Sequence, residues 1–200
     1  GPPIIVTIWG SDMPFARRSQ LVRRTLGRAT SIVAVSEAMR AELVAMGMPG
    51  ERVSLVRAAV HLTDPPAGDR GILRKRLGLD ERTTVVFLGR LSHVKGADVL
   101  MRAVSAGVLE ETNSQLVFLG SGNMEASLRE AARAIPGERV RFEGFVPHGR
   151  VSEWLGASDL LVMPSRSEGL PLALIEALSL GVPAVASSVG GIPELVTAGE

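Results

Sequence analysis

Cysteine is absent from the 200 residues, which removes disulfide frameworks and thiolate metal sites and leaves only a lean toward the cytoplasm as compartment. Charge of one sign is missing too. The 22 Lys and Arg and 21 Asp and Glu leave a formal net charge of +1, so no global field exists to hold a polyanion. Nucleic acid is not expected as a partner, and any anion site must be local. A long apolar run is also lacking: the opening GPPIIVTIWG is too short, with proline in front and no basic leader, to be a signal peptide or a spanning helix, and it reads as a buried strand. No internal repeat or low-complexity tract is present. What remains is a chain that is 46% hydrophobic, enough for a sizeable core in one or two domains.

Short β-branched or aliphatic runs alternate with helical patterns along the chain, the rhythm of strand and helix units that build a parallel sheet, so the class is α/β. Strands are expected at 4–8, 31–35, 53–56, 85–89, 115–120, 140–144, 159–163 and 183–187. Ser36 followed by EAMRAELVAMG predicts a helix with a serine cap and a stop at Gly47. The proline, glycine and charge of Asp64–Gly71 mark a linker. The domains are therefore taken as 1–66 and 67–200. About three strands in the first segment and an abrupt finish at Ala198, Gly199 and Glu200 suggest an incomplete chain.

In open parallel sheets ligands bind beyond the carboxyl ends of the strands. After the strand ending in Gly89 come Arg90, Leu91, Ser92, His93, Val94, Lys95 and Gly96, then a helical segment. Two cations at a helix start suit a diphosphate, although a solvated loop would look the same, and His93 reads as a loop residue rather than a catalyst. Gly120, Ser121 and Gly122 follow the next strand. There glycine admits either a ligand or a closely packed helix. Position 125 is Glu instead of a third glycine, which argues against a nicotinamide cofactor.

The stretch DLLVMPSRSEGLPLALIEALSLGVPAVAS carries Glu168 in a loop and Glu176 in a helix otherwise free of charge. The positions three and four away from Glu176 are Leu172, Ala173, Ser179 and Leu180, so this carboxylate is not expected to face water. It should meet a protein donor or ligand hydroxyls. At about 1.5 Å per residue the two carboxylates lie roughly 10 Å apart along a helix axis, a gap that a nucleotide sugar spans. Backbone N–H groups near Gly169 and Leu170 are then available for its diphosphate.

The series GRLSHVKG, LGSG, FEGFVP and PSRSEGLPLALIEALSLGVPAVASSVGGIPELV resembles glycosyltransferase family 4, whose hallmark is a pair of glutamates separated by seven residues. The resemblance covers nearly all of residues 72 to 198. It implies a GT-B fold of two Rossmann-like domains, with the chain comprising the end of the amino-terminal, acceptor-side domain and most of the donor-binding domain. By comparison roughly the first hundred residues and the closing helices would be missing, so donor binding is expected to be weakened and transfer by the 200 residues alone weak or absent.

Carried over by motif, Glu168, Arg90 and Lys95 are the catalytic group. Gly89, Gly120, Gly122, Phe145, Val146, Gly169, Leu170, Pro171 and Glu176 join them in holding the donor. Arg90 and Lys95 would grip the diphosphate, Glu168 the transferred sugar and Glu176 the ribose. Phe145 and Val146 resemble the edge that meets the base, and Phe145 reads equally as core. TIWGSD, ATSIVAVSEAM and VSLVRAAVHLTD resemble the end of the amino-terminal domain. Trp9 stands where many members have histidine, and Asp12 is the acceptor-side candidate.

The resemblance further implies transfer with retention from a nucleoside-diphosphate sugar to a sugar, lipid-linked sugar or small-molecule acceptor. A cytoplasmic site is expected, peripheral to the inner membrane face where the acceptor is a lipid. No cofactor is expected, and no DxD pair is present to hold a metal across the phosphates. A two-carboxylate glycosidase is the rival enzyme, but it has no task for the cationic loop. The other rival is an inactive, self-associating homo-oligomer that at most binds nucleotide. Arg17, Arg24 and Arg28 form a basic face that suits acidic lipid, but a solvated helix is the preferred reading.

Overall fold

A computed structural model of the chain describes residues 2–57 and 69–197. The boundary at 66/67, most of the Asp64–Gly71 linker and Ala198 to Glu200 lie outside the described residues. The chain forms two compact units. One holds the described residues up to 57 with Ser167–Leu172 and the segment from Ser188 on; the other holds those from 69 to Arg166 with Ala173–Ser187.

In the first unit β1 (Ile5–Ile8), β2 (Ser31–Ala34) and β3 (Val53–Leu55) make a parallel sheet in the order β1-β2-β3. Its helices are α1 (Met13–Arg18), α2 (Gln20–Leu26) and α3 (Glu37–Ala45). The Ser36 hydroxyl accepts the Met39 N–H at 3.3 Å and so starts α3, while Gly47 follows its end at φ 92°. β1 departs from the expected buried strand. It lies at the sheet edge, Ile4 and Ile5 are exposed, and of β1 only Ile8 is buried.

The second unit runs through α4 (Arg70–Arg76), β4 (Thr83–Leu88), α5 (Ala97–Ser105), α6 (Val108–Glu111), β5 (Ser114–Leu119) and α7 (Glu125–Ala132). It continues with β6 (Val140–Gly144), α8 (His148–Ala157), β7 (Leu160–Met163), α9 (Leu172–Ser179) and β8 (Ala184–Ala186). All eight expected strands are present, and these five pair in parallel in the order β6-β5-β4-β7-β8. Every residue of β5 is buried, as a strand covered on both faces requires. Phe118 stacks on Phe142 at 4.8 Å and tilts against Phe87 at 5.3 Å. Leu100, Met101 and Val104 of α5 and Leu128 of α7 belong to the same core cluster. Each such side chain contributes about 1.5–3 kcal/mol on burial.

The strand order places the site. From β4 the chain proceeds outward to β5 and β6, and it then returns to the other side of β4 as β7 and continues to β8. The loops leaving the carboxyl ends of the neighbouring strands β4 and β7 therefore stand at the topological switch point, where open α/β sheets take their ligands.

Candidate functional site

The loop after β4 is a tight turn that carries Arg90 and Lys95. Lys95 donates its N–H to Ser92 O at 3.1 Å and Gly96 to His93 O at 3.2 Å, which turns the chain into α5. Gly96 caps that helix at φ 71°, and a Cβ on it would stand 1.8 Å from the Pro164 carbonyl oxygen, so only glycine fits. Arg90 and His93 are exposed and Lys95 is half-buried. The loop thus presents its cations at the positive end of a helix, in the environment that favours an anion.

Gly120 and Gly122 serve this loop directly. A Cβ on Gly120 would lie 2.0 Å from Gly89 O and one on Gly122 2.2 Å from Leu91 O. Leu91 N–H donates to Ser121 O at 2.9 Å and Met124 N–H to Leu91 O at 3.1 Å. Of the two roles open for these glycines, close backbone packing is the one visible here: the turn after β5 braces the turn after β4.

On α9, Glu176 is 9% exposed among Leu174, Ala177 and their neighbours, as its uncharged sequence context requires. His148, the first residue of α8, brings Nδ1 to 3.4 Å from Glu176 Oε1. Burial pushes the Glu176 carboxyl above its ordinary value, and the imidazole offsets that in part. A buried carboxylate that burial penalises in this way is suited to accept hydrogen bonds from ligand hydroxyls.

Within the first unit the Glu168–Gly169 peptide is enclosed by backbone. Glu168 is 6% exposed, and Gly169, Leu170 and Pro171 are buried as well. Added Cβ atoms would stand 2.1 Å from Gly169 N at Gly10, 1.9 Å from Glu168 O at Gly190 and 2.3 Å from Gly169 O at Gly191. Gly191 N–H donates to Gly169 O at 2.9 Å. Three residues on, Glu194 accepts the Ala38 N–H at 3.0 Å and pairs with Arg57 at 3.3 Å. Burial would raise the Glu194 carboxyl, but the Ala38 and Glu37 N–H groups and Arg57 outweigh it and hold the group low. The start of α3 is thereby tied to the glycine pair that packs on Glu168. The helix α9 begins at Leu172, so Glu168 precedes it by four residues and sits in the loop.

Trp9 and Asp12 close the turn after β1. Trp9 N–H donates to Asp12 Oδ2 and Asp12 N–H to Trp9 O, both at 2.9 Å. Trp9 is 46% exposed. Phe145 corrects one expectation: it is 78% exposed and is no part of the core, because it follows Gly144 at the end of β6 where the chain leaves the sheet. Val146 beside it is half-buried.

Gly10, Gly190, Gly191 and His148 were not legible in the sequence as neighbours of the Glu168–Gly169 peptide and of Glu176, since each meets a partner distant in sequence. The GG of SSVGGIPELV was the one available signal. Among the described residues no group of three or more His, Asp or Glu could hold a metal ion, and no helix is long and apolar enough to cross a membrane.

Comparison with known proteins bears on the family and the fold. D-inositol 3-phosphate glycosyltransferase 1 of Catenulispora acidiphila is 36% identical over 203 residues, which covers 96% of this chain and 46% of that protein. The putative teichuronic acid biosynthesis glycosyltransferase TuaC of Bacillus subtilis is 31% identical, over 96% of this chain and 49% of its own. The chain thus spans about half the length of the curated relatives it matches. Among solved structures, Anabaena HepE in complex with UDP-glucose superposes with a TM-score of 0.82 at 23% identity, over 98% of this chain and 56% of that one. The fold is accordingly part of a GT-B fold. Residues 82–200 match the family described as glycosyl transferases group 1, more than half of the chain, and the chain belongs to that family.

Proposed function

We propose that this chain is the donor-binding part of a retaining glycosyltransferase that moves a sugar from a nucleoside-diphosphate sugar to an acceptor hydroxyl. The observation that carries the proposal is the combination, in a glycosyl transferase family member, of a cationic loop at the start of α5 with a buried glutamate on α9, a helix otherwise free of charge. HepE, crystallised with UDP-glucose, supports a nucleotide sugar as the donor class. Arg90 and Lys95 hold the diphosphate, Glu176 the ribose hydroxyls and Glu168 the transferred sugar. Gly169 to Pro171 add backbone contacts, and Phe145 and Val146 flank the base.

In this mechanism the bond from the anomeric carbon to the β-phosphate oxygen breaks first, and the electron pair leaves with the diphosphate. Positive charge develops on the sugar while Arg90, Lys95 and the α5 amino end stabilise the departing anion. The acceptor hydroxyl adds on the face the leaving group vacates. A phosphate oxygen of the leaving group takes its proton, so neither a protein base nor a metal is needed. Catalytic positioning requires both walls of a GT-B cleft, so the 200 residues are expected to bind donor more weakly than the longer relatives and to turn over little. The proposed location is cytoplasmic, peripheral to the membrane if the acceptor is lipid-linked.

Calorimetric titration with UDP, GDP, ADP and their sugars tests the proposal. One nucleoside diphosphate should bind, and Arg90→Gln or Lys95→Gln should weaken it at least tenfold, about 1.4 kcal/mol. Absence of binding by all three, or unchanged affinity in both variants, overturns it. A second function, self-association with at most nucleotide binding, is favoured by one observation: Ile4, Ile5, Phe15 and Leu21 of the first unit are each more than half exposed.

A further inference from the structure

Arg166, in the loop after β7, reaches back to the loop after β4. Its Nη1 and Nη2 donate to Asp98 Oδ1 and Oδ2, each at 2.7 Å, and Nη1 also donates to the His93 carbonyl at 2.6 Å. The Arg166 backbone N–H donates to Val94 O at 2.8 Å. Asp98 lies in the first turn of α5 and also accepts from Arg102, one helical turn on, at 3.1 Å. One residue thus makes four bonds to the segment that carries Lys95 and to the helix it opens, beside the point where Gly96 presses on Pro164. A two-point guanidinium–carboxylate pair fixes distance and plane together, which a single lysine bond does not. The hydrogen bonds from Arg166 hold the Asp98 carboxyl well below its ordinary range, against the effect of burial.

We propose that Asp98 and Arg166 are positioning residues. Their pair locks the backbone of residues 92–96 so that Lys95, with Arg90, meets a donor diphosphate in a preformed geometry, and neither residue touches the donor. The proposal rests on the donor-binding function above. Physically it is preorganisation: a loop already held in its bound shape loses less conformational freedom on binding. Arg166 is exposed, as Arg90 is, but its Nη1 and Nη2 are engaged by Asp98 and the His93 carbonyl.

The test is a double-mutant cycle read by calorimetry, with UDP, GDP and ADP and the matching nucleosides uridine, guanosine and adenosine as probes. Asp98→Asn and Arg166→Gln should each weaken the bound diphosphate five- to tenfold, leave its nucleoside unchanged and, combined, cost no more than either alone. Arg166→Lys should fall between wild type and Arg166→Gln. If Arg166 itself gripped phosphate, Asp98→Asn would leave affinity unchanged or raise it while Arg166→Gln lowered it. If the pair only stabilised the fold, nucleoside and diphosphate would weaken together. Either result, or no change, overturns the proposal. Amide hydrogen exchange without ligand is the second measurement. Exchange at Lys95 and Gly96 should rise at least tenfold in Asp98→Asn, and unchanged exchange overturns the proposal as well. A wild-type chain that binds none of the diphosphates would instead refute the donor-binding function, and the exchange result would still decide whether the pair holds the loop.

Discussion

With the donor-binding role proposed for it, Glu176 acts on ligand and fold in opposite directions. Its carboxyl is raised by burial above the ordinary value of 4.5, with His148 offsetting part of the effect. A folded-state value above the unfolded one means stability is fully present below the unfolded value and is lost as pH rises through the folded one. The ligand-free chain should therefore lose stability as pH rises from about 4.5 toward neutrality, to the extent that Glu176 controls it. Glu176→Gln removes the buried charge and should flatten that dependence. At neutral pH it should gain about 1 kcal/mol, or 2–4 °C in thermal midpoint, while binding nucleoside diphosphate at least fivefold more weakly. Thermal melts across pH and calorimetry check the two signs. A variant that loses stability would mean the carboxylate is a structural acceptor. The burial of Glu176 was legible from its uncharged neighbours, whereas His148 opposite it was not, because α8 and α9 meet only when the sheet forms.

At the scale of elements, two glycines separate close approach from backbone strain. Gly96 and Gly107 both open helices with positive φ, 71° and 95°. A Cβ at Gly107 meets nothing within 4 Å, whereas at Gly96 it collides with the Pro164 carbonyl at 1.8 Å. Gly107→Ala should cost only the left-handed strain, about 1–2 kcal/mol, and leave nucleotide binding unchanged. Gly96→Ala must also displace the cationic loop, and its diphosphate affinity should fall at least tenfold. Comparing melts and titrations of the two variants tests this, and equal effects on binding would refute it. The strands were legible within about two residues because β-branched runs bounded by glycine and proline have few other uses. The start of α9 was less so: Ser167 to Pro171 carry small and polar residues that suit a helix entrance, yet their backbone packs against Gly10 and Gly191.

At the scale of the molecule, the first unit leaves Ile5 67% exposed on the edge strand β1, whose outer backbone groups have no neighbouring strand among the described residues. Such an edge promotes pairing between chains. If self-association is the dominant property, size-exclusion chromatography should show an apparent mass that rises with concentration, falls in Ile5→Lys and is indifferent to nucleotide. A monomer at all concentrations refutes it. The near-neutral charge, the strand and helix rhythm and the order of motifs were determined by sequence alone, because composition and local periodicity reside in neighbouring residues. They were enough to give the α/β class, the glycosyltransferase family and a list of candidate cations and carboxylates. Tertiary structure alone decided which backbones approach so closely that only glycine fits, that Phe145 is exposed, and that Asp98 meets Arg166 and Glu176 meets His148. Those contacts join residues far apart in sequence, and they exist only after the two sheets, β1-β2-β3 and β6-β5-β4-β7-β8, have each brought their own distant loops together.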